Sequence, residues 1–336
     1  MRRNSRRTET TVSDHAARSA RTSRPFRIPL PLPPRLVPPL LRAVRRRFRR
    51  IEEPYVAELR ERYIAQVAHH DVDGVPVVEI VPRSAPDDVR ERGDRAVYLH
   101  GGAYFLGSAC DGLAVLMADE LRLPVFCVDY DLAPESPFPI ALEQAVRAHT
   151  ALAGAGGGRT VLFGVSSGAG LALSLVNWLH RTGLPLPRAL GLFTPWTDLT
   201  GAGDSYQANE GRDRAIRWRY QLERAAGAYA GTTPARHPGI SPIYDTYPPD
   251  YPPSMITTGT RDLFLSDCVR LYWALRAVGA TTELRLWEGM WHALPGDPEM
   301  PEARACRAEV AGFLLRALQE GGTPRDEQPE PARTTG

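Results

Sequence analysis

From residue 77 onward, short apolar runs alternate with longer stretches of helical period. The runs at 77–81, 96–99, 125–129, 160–163, 189–193, 255–258 and 283–287 each have strand length. Helical patterns fill most of the gaps, at 112–121, 140–153, 169–181, 266–278 and 302–318. Near-continuous apolar strands separated by helices predict a mainly parallel sheet with helices on both faces. The rhythm breaks over 201–250, which is polar, aromatic and proline-rich and predicts one helix, at 215–229. That stretch reads as an insertion forming part of a lid. Upstream, 51–69 predicts one or two helices. No internal repeat is visible. No apolar run reaches the ~18 residues of a transmembrane helix.

The ends differ from the middle. Residues 1–24 are rich in Arg, Ser and Thr, too polar to bury, and predict disorder. Residues 25–41 are proline-rich and favour extended polyproline geometry. The expected organisation is a basic, Pro-rich segment at 1–50, disordered or partly cap-forming, an α/β domain at 51–320 and a loose tail at 321–336. Fifteen arginines against Glu9 and Asp14 give residues 1–50 a surplus of +13. The whole chain stands at +2, so the remainder carries the difference, −11. All of the basic charge is arginine. A basic tail of this kind is more often a solvated arm than an anchor, so no nucleic-acid partner and no stable membrane insertion are expected. Twin arginines near the start lack a following apolar region and predict no signal peptide. Cys110, Cys127, Cys268 and Cys306 are too scattered to ligate a metal. They predict buried, reduced thiols in a cytoplasmic protein.

Chemistry enters at Gly164-Val165-Ser166-Ser167-Gly168, between an apolar strand and a helix. A serine on so sharp a turn, with glycine two residues to either side, is a nucleophile elbow. His100-Gly101-Gly102-Ala103 follows another strand. Glycines there let backbone N–H groups approach a developing oxyanion, each worth about 2.7–4 kcal/mol. An acid at the end of the strand 255–258, Asp262, is favoured over its neighbour Asp267, which is expected to cap a helix. His292 lies in the last strand–helix loop, where it can move a proton to and from Ser166. His69, His70, His149, His180 and His237 are less well placed. The stretch 129–139, with its prolines and charges, reads as a loop that braces the oxyanion region.

Together these segments resemble the hormone-sensitive-lipase-like family of α/β-hydrolases, the bacterial esterases with an HGGG motif. The resemblance spans about residues 97–318. The HGGG box stands here as His100-Gly101-Gly102-Ala103, the Y-R-L-A-P-E-x-P-F-P stretch as 130–139, and the G-D-S-A-G elbow as 164–168. The acid and histidine boxes stand as 259–262 and 289–292. The resemblance implies Ser166 as nucleophile, His292 as general base and acid, and Asp262 orienting it. It implies an oxyanion hole from the N–H groups of Gly102, Ala103 and Ser167, with Gly101 shaping the turn. A cap would come from 30–65 and 201–250. Ala103 departs from the family glycine, and its methyl is expected to narrow the pocket or shift the donor. Val165 and Ser167 replace the family's Asp and Ala.

The implied reaction is hydrolysis of carboxylic esters or lactones through an acyl-enzyme, with no metal or organic cofactor. The Gly-Thr-Arg-Asp and Glu-Gly-Met-x-His wording is similar to lactone-hydrolase members. Tyr206, Trp218, Tyr220 and Tyr229 in the insertion point to an apolar substrate of short or medium acyl chain, though packing roles serve them equally. The alternative is a biosynthetic acyltransferase, cyclase or eliminating enzyme using the same site. A non-catalytic binder is disfavoured because no triad member is missing. Oligomeric state is left open, with the last helix offered as the surface a homodimer would use.

Overall fold

The seven apolar runs are all strands, and a further strand precedes them. In chain order they are β1 (Ile64–Val72), β2 (Val75–Pro82), β3 (Arg95–Leu99), β4 (Val125–Val128), β5 (Thr160–Val165), β6 (Leu190–Phe193), β7 (Ser254–Gly259) and β8 (Thr282–Trp287). They form a sheet of order β1-β2-β4-β3-β5-β6-β7-β8. The pairings of β2 with β1 and with β4 are antiparallel, and every later pairing is parallel. The computed structural model describes residues 12–22, 36–154, 158–292 and 294–319. The expectation for 321–336 lies outside the described residues.

Helices complete the layers: α1 (Asp14–Thr22), α2 (Val37–Tyr63), α3 (Val89–Arg92), α4 (Gly112–Leu121), α5 (Ile140–Gly154), α6 (Ser167–Thr182), α7 (Asp204–Ala208), α8 (Glu223–Ala230), α9 (Leu265–Ala277) and α10 (Pro301–Gln319). One core layer joins α4 and α10 to the sheet through Val115, Met117, Val310 and Leu314. The other joins α5, α6 and α9 through Leu142, Leu171, Leu175 and Leu271. Burial on both faces is why β3, β5 and β6 read as unbroken apolar runs rather than alternating ones. The parallel crossovers bring the carboxyl ends of β3, β5, β7 and β8 to one rim of the sheet, where open α/β sheets place their sites.

Four expectations are corrected. Residues 64–69 are strand, not helix, because β1 is the first arm of a hairpin. Its two-residue turn is Asp73-Gly74, both with positive φ (52° and 72°), which an Asp-Gly pair adopts readily. Residues 14–22 are helical, not disordered: α1 docks on α10. The N–H and hydroxyl of Ser13 donate to Glu302 at 2.5 and 2.7 Å, His15 meets Asp297 at 3.1 Å, and Ala16 is fully buried. Residues 37–41 are helical, not polyproline. Prolines in a first turn forfeit no intrahelical hydrogen bond, so Pro38 and Pro39 open α2 without cost. In the insertion, the helix expected at 215–229 begins at Trp218 as one π turn and continues as α8. The four cysteines are free and buried. Among the described residues no helix is long and apolar enough to cross a membrane.

Candidate active site

Ser166 sits between β5 and α6 with φ 57° and ψ −123°, a conformation that a non-glycine residue holds only under constraint. The constraint is close packing. A Cβ on Gly164 would come within 2.7 Å of the Gly168 backbone, and one on Gly168 would run into the carbonyl of Leu99 at the end of β3. The Ser166 N–H donates to the Phe193 carbonyl (2.9 Å), and its own carbonyl accepts from Gly170 and Trp196 (3.1 and 3.0 Å). The hydroxyl is thereby presented above the rim.

His292 lies beyond β8 and Asp262 beyond β7. Nε2 of His292 is 2.8 Å from Ser166 Oγ, and Nδ1 is 3.1 Å from Asp262 Oδ1. Asp262 is fully buried, and its oxygens also accept from Thr258 Oγ1 and the Phe264 N–H, both at 2.9 Å. Burial alone would push the imidazole of His292 down. The charge and hydrogen bond of Asp262, with the charge of Asp213, outweigh burial and raise it from its ordinary 6.5. Asp267 faces elsewhere. It does not cap a helix but accepts the N–H groups of Thr197 and Asp198 and the Tyr206 hydroxyl, and burial pushes it up to about 8.

The loop after β3 faces the same hydroxyl. Gly102, Ala103 and Tyr104 all have positive φ (110°, 53° and 62°). The N–H groups of Gly102 and Ala103 have no partner among the described residues. Ser167 opens α6, where first-turn N–H groups have no carbonyl one turn back. The Ser167 hydroxyl accepts from the Tyr104 N–H at 3.3 Å, so this departure from the family elbow ties the elbow to the β3 loop. The stretch 129–139 braces that loop as expected. The Tyr130 hydroxyl donates to the His100 carbonyl (2.6 Å), its ring stacks on His100 at 4.2 Å, and the Ala133 N–H donates to Tyr104 (2.8 Å). Burial holds His100 down at about 4, so it is neutral.

Residues 96–295 match the family described as an alpha/beta hydrolase fold. An acetyl-hydrolase of Streptomyces hygroscopicus is 35% identical over 238 residues, which cover 69% of this chain and 79% of that protein. The solved esterase E25 superposes with a TM-score of 0.78 at 30% identity, covering 91% of this chain and 94% of that one. A solved esterase from the bacterial hormone-sensitive lipase family superposes with a TM-score of 0.72 at 29% identity, covering 80% and 90%. The chain belongs to the hormone-sensitive-lipase-like α/β-hydrolases. It is a carboxylic ester hydrolase.

In this hydrolase a cavity of about 620 Å³ opens over Ser166 and His292. Its apolar lining includes Val44, Phe48 and Ile51 of α2, Ile216 and Leu222 of the insertion, and Phe105, Leu106 and Leu113 from the β3 loop and α4. Of the insertion aromatics, Tyr206, Trp218 and Tyr229 are packing residues. Tyr229 stacks on Tyr104 at 3.6 Å, Tyr206 bonds Asp267, and Trp218 packs edge-on against Tyr206. The Tyr220 side chain lies outside the described residues. Two carboxyls line the cavity. Burial, then Asp111, pushes Glu52 up to about 7, and burial pushes Asp111 up to about 6.

One buried group escaped the sequence reading. Asp213, in the insertion, accepts the N–H of Leu263 (3.0 Å) and of His292 (3.2 Å) through Oδ2, and those of Ala215 and Ile216 (2.8 and 3.2 Å) through Oδ1. A single carboxylate thus ties the insertion to both loops that carry Asp262 and His292. No motif marks it, since an Arg-Asp-Arg run normally reads as solvated surface. Asp213→Ala strips two buried N–H groups of their acceptor at about 1–3 kcal/mol each. Urea unfolding is expected to show a lower midpoint for Asp213→Ala than for Asp213→Asn, which keeps one acceptor oxygen. An unchanged midpoint in Asp213→Ala would refute the tether.

Proposed function

We propose that the chain is a serine esterase that cleaves carboxylic esters or lactones of short or medium acyl chain through an acyl-enzyme on Ser166. The observation that carries this reading is the continuous Ser166–His292–Asp262 hydrogen-bond chain at the floor of an apolar cavity. Ser166 Oγ attacks the ester carbonyl while His292 Nε2 takes its proton. Asp262 holds Nδ1 and stabilises the imidazolium that forms. The oxyanion of the tetrahedral intermediate is met by the N–H groups of Gly102, Ala103 and Ser167. His292 returns the proton to the leaving alcohol, whose departure leaves the acyl group on Ser166. Water, deprotonated by the same imidazole, then releases the acid. The apolar walls from α2 and the insertion suit an apolar ester, and the relatives named acetyl-hydrolase and esterase favour a small acyl group.

Ser166→Ala is expected to lose at least ~10³-fold in kcat/KM on p-nitrophenyl acetate and on a panel of esters and lactones. Retained activity would end the acyl-enzyme reading. A Ser166 that reacts with a fluorophosphonate in a chain that turns over no ester would favour group transfer instead.

The pH profile has a sign. His292 must be neutral to take the serine proton, and its raised pKa keeps it protonated to higher pH than a free imidazole. Activity is therefore lost on acidification, and the limb of kcat/KM is expected above 6.5. Glu52 titrates in the same cavity, so the limb should persist in Glu52→Gln. A limb at or below 6.5, or one that vanishes with Glu52, would contradict the assignment.

A further inference from the structure

The first half of α2 presents an outer face that the catalytic reading leaves unused. Arg46, Arg47, Arg49 and Arg50 are exposed there, and none has a hydrogen bond or ion pair with any described residue, although the charge of Arg49 acts on Glu52. Glu53, one turn on, pairs with none of them. Arg45, by contrast, is committed to the carbonyls of Phe105 and Ala133 and to Glu135. Arg46, Arg47 and Arg50 converge with Ala43 and Ile51 on a shallow recess. Large apolar side chains stand beside them: Ile51 is 66% exposed and Phe48 39%. Both also line the mouth of the cavity over Ser166.

Unpaired guanidiniums interleaved with exposed apolar side chains fit a surface that carries negative charge outside and hydrocarbon inside. We propose that this face of α2 docks the enzyme on an anionic lipid surface, with the arginines against phosphate headgroups and Ile51 and Phe48 entering the interface. Resting on the serine-esterase reading above, the proposal makes the lipid surface the source of the apolar ester, which passes along α2 into the cavity. Charge complementarity selects this occupant. Residues 36–50 carry six arginines and no acid, whereas residues 51–336 sum to −11, so an anionic surface attracts this half of α2 more than the rest of the chain. A nucleic acid would use the arginines but would leave Ile51 and Phe48 in water. The docking is reversible, because it needs no spanning segment.

The test is flotation of the full chain with vesicles, which reads binding without turnover and so stands apart from failure of the esterase assignment. The chain should partition onto vesicles containing roughly a third phosphatidylglycerol and far less onto pure phosphatidylcholine. Partition should collapse as salt rises from about 0.05 M to 0.5 M. Each arginine is worth about five-fold in partition, so Arg46→Gln with Arg50→Gln should weaken it about 25-fold at an unchanged unfolding midpoint. Ile51→Ser should weaken it as well. Equal partition onto neutral and anionic vesicles would overturn the proposal. So would full binding by the double variant, which would place the contact elsewhere in the chain. Retention of a DNA duplex without vesicle binding would overturn it in favour of nucleic acid.

Discussion

The site rests on a backbone-to-backbone contact. Gly168, in the first turn of α6, lies so close to the carbonyls of Leu99 and His100 that no side chain fits between them. This contact sets the elbow beside the loop that follows β3, so that Ser166, Gly102 and Ala103 line one cavity. The hydroxyl of Ser167 adds a polar stitch across the same seam, to the N–H of Tyr104. The parallel sheet does the rest. β3 and β5 are hydrogen-bonded neighbours in register, Leu99 against Gly164, so their ends arrive together.

The electrostatics have a second organising feature. Two buried carboxylates, Asp262 and Asp213, flank His292, one at its ring and the other at its main-chain nitrogen. The first fixes the tautomer and the direction of the ring. The second fixes the loop, and through its own segment couples that loop to the insertion over the cavity. An insertion that bears on the position of His292 is more than a passive wall of the cavity. Disturbance of the insertion would reach His292 directly through Asp213 and, by way of the Asp262 loop, through Asn209, whose amide donates to the carbonyls of Thr260 and Asp262. The other buried histidine near the site, His100, is held neutral by desolvation and serves as packing against Tyr130.

Much of this was legible in the residues, and what was not has physical causes. The central strands β3, β5, β6 and β7 announced themselves because burial on two faces forces unbroken apolar runs, whereas β8, at the far edge and carrying Glu283 and Arg285, was legible from its place in the strand–helix rhythm. Ser166, Asp262 and His292 were legible because each sits at a strand end within a local motif. β1 was hidden because it is an edge strand, its side chains mostly exposed, and only the Asp73-Gly74 turn betrayed the hairpin. α1 was hidden because its anchors, Glu302 and Asp297, lie almost three hundred residues away in sequence. Asp213 was hidden for the same reason: its partners are tertiary. The prolines at the start of α2 misled because the same residue favours polyproline geometry and a helix's first turn. For Tyr206, Trp218 and Tyr229 the residues alone left substrate contact and packing equally open, and only the tertiary ring contacts decide for packing.

The central claim is that Ser166, His292 and the β3 loop act on one reacting carbonyl. The most direct measurement is a crystal structure of the full chain after reaction with a small alkyl fluorophosphonate, which mimics the tetrahedral intermediate. The account predicts phosphorus bonded to Ser166 Oγ and its phosphoryl oxygen about 3 Å from the nitrogens of Gly102, Ala103 and Ser167. An adduct on another residue, or a phosphoryl oxygen turned away from all three nitrogens, would contradict it.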